Sequence, residues 1–502
     1  MEEKLLEWIR ENADTEFGKL HRFHDIHSIA DYQKYVPLSD YSDYEDAIRR
    51  MYAGKSNVLT AYPVYCFVTT SGSVGKPKKI PLTREGLRPF AGIYDNVMKQ
   101  IGEKSGKHIH LSIFPVDLDG EEREMMLTAA AYRYLYERKL FDPGRYVGGK
   151  ECLFSKETES SLYIKLWCAL GEENLLSIQS IFLYDVLLFF AYLREHGMEM
   201  LSAMETGVIP GEIKLTKEMK ARLLTSLRPS EERIRFLKQE LSLGLEAIAP
   251  RIWKQLHMIS GIGGSFFRSR ERLLRQYTGS VPWQYFLYGS SECLAAYAEE
   301  LERPYYTLIP ESGYFEFLDR DTGNVYTTQE VKENQQYELV ITNRSGLYRY
   351  RQGDLVRIQG FRNRIPMLEI LGRINQVLNV AGEKMNAAML EAAVIRFSKQ
   401  QGIAFHDYAV AAGESGFPVG YLVYLELERG PVRETVDEMS HSFDRVLREV
   451  NPDYDDLRNL GRLALPRIIC LRKGELERRK KYRNTSQNKP GQPILQKPIL
   501  LK

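Results

Sequence analysis

The segment FVTTSGSVGKPKKIP, residues 67–81, sets a cluster of hydroxyl residues, glycines and lysines between two short apolar runs. Glycines let the backbone curl so that several N–H groups face one anion, while the side chains add hydroxyl donors and positive charge. The segment therefore predicts a polyphosphate-binding loop between two strands, and it is not a Walker A loop because GxxxxGK[ST] is absent. The residues predicted to contact the nucleotide here are Thr69, Thr70, Ser71, Gly72, Ser73, Gly75 and Lys78.

A glycine-rich hairpin turn with basic flanks is the alternative interpretation of the glycines alone. The order TSGSVGKPK is more specific, because it resembles the TSGTTGxPK phosphate loop of the acyl-adenylate-forming superfamily. Val74 replaces a hydroxyl residue of that loop, which removes one donor and predicts slower turnover.

The composition predicts two domains and a small-molecule partner. The chain has 502 residues, of which 43% are apolar, and a chain of this length usually divides its core. Its 69 basic and 67 acidic residues nearly cancel, which argues against nucleic acid and membrane partners. The acidic amino terminus lacks the pattern of a signal peptide, so we expect a cytoplasmic protein. A monomer or a weak dimer is expected.

Five cysteines occur without the paired spacing of a zinc site or a disulfide framework, a distribution that suits a reducing compartment. They are Cys66, Cys152, Cys168, Cys293 and Cys470.

The succession of helical and β-rich patterns along the sequence predicts an α/β protein. The predicted protein has a large amino-terminal domain, residues 1–372, and a small mobile α+β domain, residues 373–502. Short helices are expected up to about residue 61, and then β-rich bursts alternate with helical stretches, as in sheets flanked by helices. The apolar run 181–193 is predicted to be a buried helix. The second domain is predicted to contain helix 386–400, a hairpin of 407–413 with 420–428, helix 432–450 and strand 465–471.

Three further motifs follow in the order of the superfamily. YGSSE at 288–292 follows an apolar burst, and in the superfamily its aromatic residue stacks on adenine while its glutamate holds magnesium. The resemblance thus implies Tyr288 for adenine, Glu292 for Mg²⁺ and catalysis, and Ser290 and Ser291 beside the nucleotide. A core tyrosine and a helix-start acid are the alternative interpretations.

The other two motifs flank the predicted domain boundary. GLYRYRQGD at 346–354 ends in Asp354, which matches the aspartate that accepts from both ribose hydroxyls. A fixed carboxylate is the natural acceptor for a vicinal diol. LGRINQVLNVAGEKM at 371–385 resembles the segment between the superfamily's domains and implies a nucleotide contact for Arg373.

A resemblance to the Gretchen Hagen three acyl-acid amido synthetases is carried by residues 13–60, by the double serine of YGSSE and by residues 451–474. The chain is shorter than the plant members and resembles the bacterial-type members. The resemblance runs from about residue 14 to about residue 490. It implies an enzyme that uses ATP and Mg²⁺ to form an acyl-AMP from a small carboxylic acid, rotates its small domain, and joins the acyl group to an amine such as an amino acid.

The resemblance also implies a lysine near the carboxyl end that acts in adenylation. Lys489 in SQNKP fits the family ending best, and Lys497 is the second choice. The alternative interpretation is that both are charged residues of the tail without a catalytic role. The acid pocket is expected to be apolar and aromatic. Its candidates, each of which could equally be core, are Phe114, Phe182 on a helix face with Ile181 and Leu183, and Tyr306.

Two other functions fit parts of the sequence. An acyl-CoA synthetase would share the phosphate loop and the Asp354 motif, and the basic run 472–489 could hold the CoA nucleotide. A non-catalytic nucleotide-binding relative is the other alternative, to which Val74 and the irregular tail point.

Overall fold

The structure is a computed structural model that describes most of the chain. The described residues are 1–70, 78–101, 105–112, 114, 116–118, 120, 122–154, 160–263, 267, 271–374, 376–403, 405–413, 417–427, 436–472 and 474–476. They divide into two compact units, one formed by residues up to 374 and the other by residues from 376 onward. No described helix is both long and apolar enough to cross a lipid bilayer.

The first unit contains helices and strands throughout its length. Its helices are α1 (Glu2–Glu11), α2 (Glu16–Leu20), α3 (Ile29–Tyr35), α4 (Tyr41–Tyr52), α5 (Arg84–Ile101), α6 (Leu127–Glu137), α7 (Gly149–Leu153), α8 (Ser161–Gly171), α9 (Leu183–Thr206), α10 (Lys217–Leu224), α11 (Glu231–Ser242), α12 (Ile248–Ile252) and α13 (Glu271–Thr278). Its strands are β1 (Val64–Thr70), β2 (Lys78–Thr83), β3 (Lys107–His110), β4 (Glu124–Met125), β5 (Leu175–Phe182), β6 (Met258–Ile262), β7 (Trp283–Gln284), β8 (Leu287–Tyr288), β9 (Ala296–Tyr297), β10 (Tyr306–Leu308), β11 (Tyr314–Leu318), β12 (Val325–Thr327), β13 (Gln336–Thr342), β14 (Tyr350–Arg362) and β15 (Ile365–Arg373).

These strands form three sheets. A parallel sheet has the order β3-β5-β6-β7, and it is almost continuously buried, as expected when crossover helices cover its faces. A large antiparallel sheet has the order β12-β11-β13-β14-β15-β10-β9-β8. The third sheet is small: β1 pairs antiparallel with β2 and parallel with β4.

The helices at the amino terminus cover one part of the antiparallel sheet. Leu5, Trp8 and Ile9 of α1 share an apolar cluster with Tyr314 of β11 and Tyr348. The helix α4 begins with a capping box in which Asp40 and Asp43 satisfy backbone N–H groups reciprocally. The prediction of short helices that cap a larger body is confirmed.

The second unit is a small α+β arrangement. It contains β16 (Gln376–Leu378), β17 (Met385–Asn386), α14 (Ala387–Gln401), β18 (Phe405–Ala412), β19 (Tyr421–Leu427), α15 (Val436–Val450), α16 (Pro452–Asn459) and β20 (Arg467–Leu471). Asn386 caps α14, and Gly402 ends that helix with a positive φ of 61°. The strands β18 and β19 pair antiparallel and β20 adds in parallel, which confirms the predicted hairpin and final strand.

The structure differs from one sequence-based prediction and describes only part of the segment of another. The run 181–193 was expected to be helical throughout, but Ile181 and Phe182 end the strand β5 and the helix begins at Leu183. The run is apolar without a clear period, so it could not reveal the change from strand to helix. The start of the predicted helix 432–450 lies outside the described residues, and α15 begins at Val436 within them.

Candidate functional site

The alternation of strand β14 brings the polar side chains of RYRQGD to one face. Tyr350, Gln352 and Asp354 are buried, whereas Arg351 between them is exposed and pairs with Glu338 at 2.8 Å. This follows from the strand period of two residues.

The start of β14 is fixed by a buried ion pair. Arg349 has a positive φ of 47°, and its guanidinium donates to Glu316 at 2.9 Å and to the Val36 carbonyl at 2.9 Å. A buried charge of this kind is tolerated because it is paired and hydrogen-bonded. The turn that leads into the site therefore has one defined geometry.

Asp354 is the centre of the first polar group in the site. It is 7% exposed, its Oδ2 accepts from the Tyr288 hydroxyl at 2.6 Å, and its Oδ1 accepts from Arg373 Nε at 2.7 Å. Arg373 also donates to the Gln352 carbonyl at 3.1 Å. The motifs YGSSE, RYRQGD and LGRIN are thus joined through one carboxylate.

The charges in this group stabilise one another. The carboxylate of Asp354 raises the pKa of the Arg373 guanidinium, so that side chain stays positive. Burial, and after it the charge of Asp354, raises the pKa of Tyr288 far above its ordinary value. The phenol therefore remains a hydrogen-bond donor to Asp354. A carboxylate has about four lone-pair sites, so Asp354 keeps acceptor capacity beyond these two bonds.

Glu292 lies in a tight turn that the backbone and Ser290 define. The Ser290 Oγ accepts from the N–H groups of Glu292 at 3.2 Å and Cys293 at 3.3 Å, and Gln352 Nε2 donates to the same oxygen at 3.2 Å. The Glu292 carboxylate is largely buried and accepts one long bond, 3.5 Å, from the Tyr350 hydroxyl. Oxygen ligands of this kind suit Mg²⁺, so the residue fits the predicted metal contact.

Asn343 is a residue of this site that the sequence analysis missed. Its Nδ2 donates to the Glu292 carbonyl at 2.6 Å, and its Oδ1 accepts from the N–H groups of Ser345 at 2.9 Å and Leu347 at 3.1 Å. The available signal was an asparagine directly after the buried strand β13, at the start of a turn. Asn343 thereby fixes the position of the Glu292 backbone.

The predicted phosphate loop joins two paired strands. Thr69 lies opposite Lys79 and Thr70 lies opposite Lys78 in the β1–β2 hairpin, so the strands predicted on either side of the loop are confirmed. Lys78 is half-buried, with its ammonium 5.1 Å from the centre of the Tyr41 ring. Ser71, Gly72, Ser73 and Gly75 lie outside the described residues, as do Lys489 and Lys497.

Glu124 connects the base of this hairpin to its neighbours. Its carboxylate accepts from Lys79 Nζ at 2.5 Å, from the Tyr52 hydroxyl and from Thr69 Oγ1 at 3.3 Å. The hydrogen bond from Lys79, followed by that from Tyr52, lowers the pKa of Glu124. No sequence motif identified this residue, because β4 is two residues long.

The hairpin and the YGSSE turn belong to one apolar cluster. Cys66, Val68 and Leu82 of the hairpin pack in the same cluster as Leu287 and Leu294, which lie on either side of the turn. The β1–β2 hairpin and strand β8, which carries Tyr288, are therefore held on a common core.

The predicted pocket residues occupy three different positions. Phe114 is 1% exposed and stacks on Tyr132 with ring centres 4.5 Å apart, and Tyr306 is 1% exposed with its ring centre 6.3 Å from that of Tyr288. Phe182 is half-buried at the end of β5, on a strand instead of the expected helix face. A role for these three in binding the acid stays a prediction, as does a nucleotide contact for the half-buried Ser291.

Three domain profiles of one family match the chain. The GH3 family N-terminal domain matches residues 1–283, the central domain residues 306–373 and the C-terminal domain residues 388–494.

Similar proteins carry amido synthetase names. An indole-3-acetic acid-amido synthetase GH3.2 of Arabidopsis thaliana is 27% identical over 465 residues, which cover 85% of this chain and 84% of the relative. GH3.8 of Oryza sativa subsp. indica, with the same activity in its name, is 26% identical over 489 residues, 89% of this chain and 80% of the relative. Among solved structures, a GH3.15 acyl acid amido synthetase in complex with 2,4-DB has a TM-score of 0.65 at 25% identity and covers 98% of this chain and 89% of that one.

Proposed function

This chain belongs to the GH3 family, the Gretchen Hagen three family that its motifs resemble, and from that membership we propose how its residues carry out ATP-dependent amide synthesis. The enzyme is an acyl-acid amido synthetase: it activates a carboxylic acid as an acyl-AMP and transfers the acyl group to an amine, an amino acid in the first place. The observation that supports the site assignment best is the buried Asp354 carboxylate, which holds Tyr288 and Arg373.

The first step makes the acid reactive. A carboxylate does not acylate an amine at neutral pH because its leaving group would be oxide. In the proposed step an acid oxygen attacks the α-phosphorus of ATP, the bond to the bridging oxygen breaks, and pyrophosphate leaves. The acyl group is then bonded to AMP, which is a far better leaving group.

Asp354 and Tyr288 are proposed to position the nucleoside. The one lone-pair site left on each oxygen of the Asp354 carboxylate gives two acceptors, which suit the two hydroxyls of a ribose, and the Tyr288 ring supplies a flat surface for the purine. The bonds from Tyr288 and Arg373 already fix the orientation of the carboxylate. Less conformational freedom is therefore lost when the nucleotide binds.

The remaining residues are proposed to act on the phosphates. Glu292, on the backbone that Asn343 holds, would bind Mg²⁺, which supplies charge stabilisation for the departing pyrophosphate. The backbone N–H groups of the loop between Thr70 and Lys78 and the charge of Lys78 would bind the same anion. We retain Lys489, and Lys497 second, as the lysine of this step on the basis of the family resemblance.

In the second step the amine nitrogen attacks the acyl carbon, the bond to the AMP oxygen breaks, and the nitrogen loses a proton.

The proposed apolar walls for the acid are Phe114, Phe182 and Tyr306. The protein is proposed to act in the cytoplasm, with no nucleic acid or membrane partner.

Exchange of labelled pyrophosphate into ATP tests the first step. The purified chain is assayed with Mg-ATP over a panel of aromatic, branched and linear carboxylic acids, and we expect exchange that depends on one class of acid. Products are then identified by mass spectrometry with amino acids or with CoA as acceptor. An acyl-CoA product with no amide would contradict the proposal, and absence of exchange with every acid would favour a non-catalytic nucleotide-binding protein.

A further inference from the structure

Two cysteines that are distant in the sequence meet in the interior of the first unit. Cys152 of α7 and Cys168 of α8 have their sulfur atoms 3.9 Å apart, within hydrogen-bonding distance. Their exposed fractions are 0% and 2%. The spacing of the cysteines in the sequence did not indicate that these two sulfur atoms would be in contact.

The backbone around the pair leaves room for the sulfur atoms. Gly148 has a positive φ of 78°, and a Cβ atom at that position would lie 2.4 Å from the Cys152 sulfur and 3.3 Å from the Cys168 sulfur. A side chain at residue 148 would therefore displace Cys152. The glycine allows both the tight turn before α7 and the close contact of the two thiols.

Two basic side chains, Lys165 and Arg222, bond to the backbone beside the thiols. The buried Lys165 donates to the Cys152 carbonyl at 2.8 Å, and burial lowers the pKa of this lysine to about 8. Arg222 donates to the Gly148 carbonyl at 3.1 Å and pairs with Glu151 at 2.7 Å. The hydrogen bond from Cys168, supported by the charges of Lys165 and Arg222, outweighs the opposite effects of burial and of Glu151 and lowers the pKa of Cys152.

The buried Cys66 has a different environment. Burial raises the pKa of its thiol to about 12. The thiolate is the reactive form of cysteine, so this residue is expected to be inert. It serves as an internal control for a buried thiol that has no neighbouring cysteine among the described residues.

We propose that Cys152 and Cys168 form an oxidation site that reacts with a peroxide and closes an intramolecular disulfide. The Cys152 thiolate attacks one peroxide oxygen, the O–O bond breaks, and the leaving hydroxide takes up a proton to become water. Cys152 is then a sulfenic acid. The Cys168 sulfur attacks the Cys152 sulfur, the S–O bond breaks, and the hydroxide leaves as water with the Cys168 proton. Two thiols lose two electrons in total, and the peroxide gains them.

The geometry requires a small movement and an opening. A disulfide bond is about 2 Å long, so the two sulfur atoms must approach by about 2 Å from their present separation. Both sulfur atoms are buried, so the proposed reaction requires a local opening of the packing around α7, a helix of five residues, before a peroxide can reach them. The Leu153 carbonyl accepts from the Phe114 N–H at 2.9 Å, so the disulfide would form one residue away from the contact with a predicted acid-pocket residue.

The test is a chemical count of thiols in the intact enzyme. The full-length chain is reduced, desalted without oxygen, treated with hydrogen peroxide at increasing doses, and then alkylated and digested without reduction. We expect a peptide pair linked through Cys152 and Cys168, with a mass loss of about 2 Da that a dithiol reagent reverses. With increasing peroxide dose, Cys152 should lose its capacity for alkylation at least about tenfold faster than the buried control Cys66.

The exposed Cys470 reports that the peroxide dose was sufficient. In Cys168→Ser, Cys152 should stop at the sulfenic acid and be trapped by dimedone. The proposal is overturned if Cys470 is oxidised while Cys152 and Cys168 stay alkylatable, or if they gain oxygen without a linked peptide. The wild-type result decides alone if the variant does not fold. The linkage is the readout, so the result does not depend on the assigned enzymatic activity.

Discussion

Replacing Asp354 by asparagine tests the proposed nucleotide site most directly. The carboxylate accepts charge-assisted bonds from Tyr288 and Arg373, and the ribose hydroxyls are proposed to add two more. Asparagine offers one acceptor oxygen and has no charge, so we expect the loss of about 2–4 kcal/mol of interaction with ATP, since hydrogen bonds to charged groups contribute about 1.5–3 kcal/mol each. The kcat/KM for ATP in pyrophosphate exchange should fall about 30-fold to 700-fold.

The control for folding lies on the same hairpin. Glu369 is also 7% exposed, and it accepts from Arg357 at 3.0 Å and from Gln359 at 2.6 Å. The Glu369→Gln variant should lower the melting temperature to a similar degree, because both changes remove the charge of a buried carboxylate that pairs with a partly exposed arginine. Its kcat/KM for ATP should stay close to that of the wild type.

The role of the ribose can be isolated with 2′-deoxy-ATP and 3′-deoxy-ATP. The wild type should discriminate against both analogues, and Asp354→Asn should lose most of that discrimination. The difference between the two enzymes gives the coupling energy between the carboxylate and each hydroxyl. Equal discrimination in both enzymes would refute the assignment of Asp354 to the ribose and leave it a structural residue.

Three other substitutions test separate parts of the molecule. Glu292→Gln should lower the exchange rate about 100-fold and raise the Mg²⁺ concentration for half-maximal rate, a magnitude typical of lost charge stabilisation; an unchanged magnesium titration would contradict the metal role. Glu124→Gln weakens the acceptor for Lys79 at the base of the β1–β2 hairpin. It should raise the KM for ATP about fivefold with a smaller change in kcat, because a hydrogen bond that positions the hairpin loses roughly 1 kcal/mol. Equal effects on both constants would argue for a general loss of structure. Asp444→Asn should destabilise the second unit by about 3 kcal/mol, as measured by hydrogen exchange, because a buried partner of Arg458 is removed. Burial alone would raise the pKa of Asp444, but the hydrogen bonds from Arg458 and Arg448 outweigh it and lower the pKa. The stabilisation is therefore complete above the ordinary carboxyl pKa of about 3.9 and lost as the pH falls through the lowered value, so the variant and the wild type should converge only under strongly acidic conditions.

The sequence by itself determined the local features of the site. The glycines and hydroxyls of residues 67–81 predicted a loop between two strands, and the structure contains both strands. The motifs YGSSE and RYRQGD predicted Tyr288, Glu292 and Asp354 as site residues, and the period of two along β14 places Tyr350, Gln352 and Asp354 on one face. These features depend on residues close together in the chain, where spacing and chemistry can be read directly.

Only the tertiary structure decided which distant residues meet. Asn343 supports Glu292 from 51 positions away, and Glu124 reaches Thr69 from 55 positions away. The run 181–193 changes from strand to helix at Leu183 because β5 is buried between β3 and β6. An apolar sequence without a clear period does not reveal this constraint. Cys152 and Cys168 become neighbours through the packing of two helices. Such contacts arise from the burial of apolar surface, which acts through space and leaves no fixed spacing in the sequence.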